Sequence, residues 1–141
     1  MNHKLILAGA VFLMLSEPTL AQDQPEVNCK DPQVQMEFTY CAEQDWKAAD
    51  AELNKAYKAA MDQMKSYDKG FEEYAKDLVG AVDALKEAQR AWIPYRDKAC
   101  LAYGYQAHGG SMEPQLILEC YAKMTRIRTD ELKELSEGLG N

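Results

Sequence analysis

Apolar residues recur at intervals of three and four along most of this chain, the repeat of an amphipathic α-helix. Turn-like breaks divide the pattern into three runs. The first opens at Asp31-Pro32, where aspartate suits the N-cap and proline suits the first helical position, whose N–H has no intrahelical partner. Its stripe is Val34, Phe38, Cys41, Ala49, Leu53, Ala56 or Tyr57, Ala60 and Met64, opposite Glu43, Lys47, Glu52, Lys55, Lys58 and Asp62. Ser66 to Gly70 reads as a break. The second run begins near Phe71 and passes Tyr74, Leu78, Val82, Leu85, Ala88, Trp92 and Ala99 to Tyr103, ending at Gly104. Pro94 removes one backbone hydrogen bond inside it and predicts a kink near Arg90. After a loop from Tyr105 to Gly110, Ser111 can cap a third helix with the stripe Leu116, Cys120, Met124, Ile127 and Leu135. No strand-like alternation of useful length and no internal repeat interrupts this. The pattern predicts an all-α fold, an elongated antiparallel three-helix bundle with its stripes buried in one core.

The N-terminal segment has a different character. Met1 to Lys4 is short and positive, Leu5 to Leu15 is an unbroken apolar run of 11 residues, and a polar exit ends at Ala21. Eleven residues fall short of the roughly 20 that cross a bilayer, so residues 1–21 read as a cleavable signal peptide. Residues 22–141 are then a single helical domain. Gln22, and not a cysteine, stands directly after the predicted cut, so a periplasmic or secreted protein without a lipid anchor is expected, with no stable membrane insertion after cleavage.

All four cysteines, Cys29, Cys41, Cys100 and Cys120, fall in the predicted mature part. In a small exported chain this argues for two disulfides. A structural zinc site is disfavoured because the cysteines form no close pair and His108 is the only histidine after the cut. Comparing heights in an up-down-up bundle favours Cys29–Cys100 with Cys41–Cys120. The local pairing, Cys29–Cys41 with Cys100–Cys120, is the rival.

Charge and chemistry narrow the function. The net charge of -7 disfavours nucleic acid and favours a cationic protein partner through long-range steering. H-E-x-x-H, G-x-S-x-G and C-x-x-C-H are all absent, which leaves no recognisable zinc hydrolase, serine triad or haem attachment. No catalytic, cofactor-binding or metal residue is expected. A carboxylate-based hydrolase remains a formal alternative, since acidic residues are plentiful and none is singled out.

The run Ala88-Gln89-Arg90-Ala91-Trp92-Ile93-Pro94-Tyr95-Arg96-Asp97-Lys98-Ala99-Cys100 resembles the signature of the LprI-like lysozyme-inhibitor family of exported bacterial proteins. Tyr40-Cys41-Ala42 with Ala49 to Tyr57, Gly109-Gly110-Ser111 before Cys120, and Arg126 to Leu132 resemble its remaining segments. The resemblance covers roughly Cys29 to Leu135. It implies a helical exported protein that binds without catalysis, with lysozyme as a partner, and it carries no catalytic residues. An envelope structural or adaptor protein with another partner is the alternative.

Two residue groups are expected to matter. Asp50, Asn54 and Tyr57 share one edge of helix one, and Gln89, Trp92, Arg96 and Asp97 lie on helix two. Antiparallel packing would set Asp50 or Asn54 against Gln89 or Arg96, a network that fixes register between the helices. His108, Gly109, Gly110 and Ser111 form the loop where a partner contact is expected.

Overall fold

The computed structural model of the protein describes residues 27–139; the expected signal peptide lies outside them. Three helices account for most of the described residues: α1 Gln35–Phe71, α2 Ala81–Gly104 and α3 Glu113–Glu137. Short 3₁₀ turns at Lys76–Leu78 and Tyr105–Ala107 lie in the connections, and no strand occurs among the described residues.

The helix limits depart from the sequence expectation at three places. Asp31 and Pro32 do not start α1. Asp31 closes a turn in which its N–H donates to the Asn28 carbonyl at 3.1 Å, and Pro32 follows in non-helical backbone. The N-cap is Val34, in extended backbone without a side-chain cap, and the Glu37 carboxylate reaches back to accept the Gln33 N–H at 2.6 Å. Ser66 to Gly70, expected as a break, is helical to Phe71. The i+4 steps Ala60, Met64 and Asp68 keep the buried stripe going, and tertiary packing overrides a locally polar sequence. Phe71, Tyr74 and Leu78 therefore precede α2 and are not part of its stripe. At α3, Ser111 is exposed and caps nothing; the N-cap is Met112.

Asp68 explains where α2 begins. Its carboxylate accepts the N–H groups of Gly80 and Ala81 at 2.8 Å and of Val82 at 3.0 Å. It is an N-cap supplied by the preceding helix, satisfying donors that α2 cannot pair internally. These backbone donors hold the Asp68 carboxyl below its ordinary value. Farther on, α2 runs unbroken through the exposed Pro94.

Side-chain contacts fix the topology. Gln35 donates to Gln115 at 2.7 Å and Trp46 packs on Tyr121 with ring centroids 5.1 Å apart, so α1 and α3 run parallel. Arg128 donates to Gln89 at 3.1 Å while Gly104 lies against Ile117, so α2 runs antiparallel to both. Gly104 is buried where a Cβ would collide with Ile117. The core joins Leu53, Ala56, Ala60 and Met64 of α1 to Leu85 of α2 and Leu132 of α3. Alanines along the α1 stripe let α3 approach closely, and each buried leucine contributes on the order of 2–5 kcal/mol against alanine.

The disulfides are Cys29–Cys41, with Cα atoms 5.4 Å apart, and Cys100–Cys120, at 5.3 Å. This overturns the pairing Cys29–Cys100 with Cys41–Cys120 and establishes the local rival. Height along the bundle did not separate the candidates; direction around each helix did. Cys41 is half-buried and turns toward the segment that precedes α1. Cys100 is fully buried on the core side of α2, where it meets α3.

Two outcomes follow. Replacing Cys100 and Cys120 together by serine lowers stability by about 3 kcal/mol or more in chemical denaturation, because the bridge closes a 20-residue span inside the core. Replacing Cys29 and Cys41 costs less, since that bridge ties down only a terminal segment. Asp68→Ala lowers Tm by several degrees and Asp68→Asn does so less. Because the folded-state value of Asp68 is depressed, its stabilisation is complete above the ordinary carboxylate range near pH 4 and is lost as pH falls through and below it. Asp68→Asn removes that component from the acid limb of the melting curve.

Candidate functional site

Trp92, Arg96 and Cys100 stand at i, i+4 and i+8, so one face of α2 carries all three toward the other helices. Arg96 is 8% exposed, and its guanidinium lies over three rings. Trp92 of α2 and Tyr121 of α3 are each 5.1 Å away at the ring centroid, and Trp46 of α1 is at 5.7 Å. Each helix contributes one aromatic face to the same cation. The charge is balanced by Asp97, whose Oδ1 accepts from Nε at 3.0 Å and from Nη2 at 2.8 Å. Burial raises the Tyr121 phenol, the Asp97 carboxylate adds to that rise, and Arg96 opposes it.

Beside this centre, α1 and α2 diverge into an open cleft of about 400 Å³. Asp50, Asn54 and Tyr57 line the α1 wall, with Gln89, Trp92 and Arg96 on the α2 wall. Six of the seven residues expected to form an interhelical network are thus brought together. Their bonding differs from the expectation. Asn54 donates to Asp50 at 3.1 Å within α1, Gln89 accepts from Arg128 of α3, and Arg96 pairs with its own neighbour Asp97. No hydrogen bond among the described residues joins Asp50 or Asn54 to Gln89 or Arg96. The cleft holds these two walls apart.

The loop before α3 is built around Glu113. Its carboxylate meets His108 Nδ1 at 2.9 Å and accepts the Gly109 N–H at 2.8 Å, and both contacts hold it below the ordinary carboxylate value. Tyr105 stacks on the His108 ring at 4.3 Å. Gly109 has φ of 76°, a conformation that favours glycine. Ser111 borders a shallow groove with Met36, Thr39, Tyr40 and Glu43 at the start of α1, and Met36 is 78% exposed. His108 and Ser111 therefore belong to the end of the bundle and are separate from the cleft.

The sequence alone assigns no role to Tyr121, Arg128 or Glu113. Tyr121 follows Cys120 directly, and Arg128 repeats the core-facing period, but only the packed bundle sets Tyr121 against Trp46 and Arg96 and Arg128 against Gln89. No group of three or more His, Cys, Asp or Glu side chains among the described residues could hold a metal ion.

The family model for lysozyme inhibitor LprI matches residues 28–132, and the chain belongs to that family. Uncharacterized protein R02472 of Rhizobium meliloti (strain 1021) is 48% identical over 134 residues, covering 95% of this chain and 96% of that protein. No solved structure matches the chain.

Arg96→Ala leaves Asp97 without its cation and opens a void between three rings, so it lowers unfolding free energy by about 3 kcal/mol. Arg96→Lys recovers part of that loss, because a point charge keeps the cation–π attraction without the planar contact. Denaturant titration followed by tryptophan fluorescence reads both.

Proposed function

We propose that this protein is an exported, non-catalytic binding protein of the bacterial envelope that inhibits lysozyme by surface recognition. The observation that carries this reading is the family match, which spans the helical unit from the segment before Cys29 to Leu132. The chemistry is consistent with it. A net charge of -7 draws a cationic enzyme at long range. No described helix is long and apolar enough to cross a membrane, and the apolar run before Ala21 reads as an export signal.

The contact face in this reading is the end of the bundle carrying Tyr105, His108 and Ser111 beside Met36 and Tyr40. Aromatic and methionine side chains exposed there supply the apolar anchors that interface centres favour, and the Glu113 contacts preorganise the loop.

Titrating the oxidised protein into lysozyme at low and moderate salt tests the proposal. Inhibition at micromolar protein, weakened by salt, is the expected result; no inhibition at either salt concentration overturns it. Met36→Asp and Tyr105→Ala are each expected to weaken inhibition about tenfold or more without lowering Tm.

A further inference from the structure

We propose that the cleft between α1 and α2 is a binding site for a short zwitterionic peptide with an apolar side chain, independent of any lysozyme contact. Its volume of about 400 Å³ falls in the range of small-molecule sites. Its walls combine apolar surface from Leu53, Trp92 and Ile93 with polar groups that converge from both helices.

Charge pairing defines the ligand class. Four charged side chains line the cleft: Asp50, Lys86, Arg90 and Arg96. Lys86 is paired with Asp83 and Arg96 with Asp97. Asp50 and Arg90 have no ion-pair partner among the described residues, and they do not meet each other. Asp50 holds only the neutral Asn54 amide, which leaves its carboxylate free to accept from a cation. Arg90 is exposed with its guanidinium uncommitted. Arg96 adds a second donor, because Nε and Nη2 both serve one Asp97 oxygen and Nη1 makes no hydrogen bond among the described residues. One wall thus offers an unpaired carboxylate and the other an unpaired guanidinium, across apolar surface. A molecule carrying an ammonium at one end, a carboxylate at the other and an apolar side chain between them matches all three features. A purely anionic ligand leaves Asp50 facing like charge, and a purely cationic one meets Arg90.

The dipeptide alanyl-leucine is the probe, with N-acetyl-alanyl-leucine and alanyl-leucine amide as its singly capped forms. Binding is followed in the oxidised full-length mature protein by the two indole N–H signals in ¹H–¹⁵N NMR. Trp92 lines the cleft, and the Trp46 indole nitrogen is buried outside it. The expected result is a saturable shift of the Trp92 signal at roughly millimolar dipeptide, in keeping with the ligand's small size. Either cap weakens it about tenfold or more. Asp50→Asn removes the sensitivity to N-acetylation alone, and Arg90→Gln removes the sensitivity to amidation alone, each with Tm unchanged. The proposal is overturned by no saturable shift at about 10 mM, by capped forms binding as well as the free dipeptide, or by cap sensitivities that survive both substitutions. A protein that leaves lysozyme uninhibited can still pass this test, so the two readings fail separately.

Discussion

The fold is organised around a single cation held among three aromatic faces. Taking a guanidinium out of water is expensive unless its charge and its donors are met. Here Asp97 meets the charge on the edge while Trp46, Trp92 and Tyr121 cover the faces. Each of the three rings comes from a different helix, so the arrangement exists only when all three are in register. Apolar stripes of alanine and leucine tolerate sliding by one turn at modest cost, whereas a displaced Arg96 keeps Asp97 and Trp92 of its own helix but loses the rings of Trp46 and Tyr121. The arginine therefore specifies register more than it adds net stability.

The disulfides act at one end of that centre. Cys100, one turn beyond Arg96, fixes α2 to α3 at the same level, and Cys29–Cys41 anchors the segment leading into α1. At the other end Asp68 performs a comparable task without a covalent bond, holding the first turn of α2 from within α1. The bundle is pinned at its two ends by different chemistry, sulfur at one and a carboxylate with three amide donors at the other. Between the pins α1 and α2 separate enough to leave a cleft, which places unpaired charge on two facing walls.

The fold class, the helix count and the spacing that puts Trp92, Arg96 and Cys100 on one face were determined by the sequence alone, because helical period is a local property. The need for disulfides followed equally well from cysteine number and the export expected of the N-terminal segment. Tertiary structure decided what those residues touch. Arg96 was expected to pair with Asp50 or Asn54 of α1 and turned to Asp97 instead, since an adjacent carboxylate already matched its buried position. Ser66 to Gly70 stayed helical because packing of Met64 and Asp68 outweighed local turn chemistry. Cysteine pairing depended on angle around the helix axis, which height along the chain does not encode. Tyr121 and Glu113 acquired roles only through partners on another element or across a loop. Periodicity along one chain says which face is buried; only the packed bundle says against what.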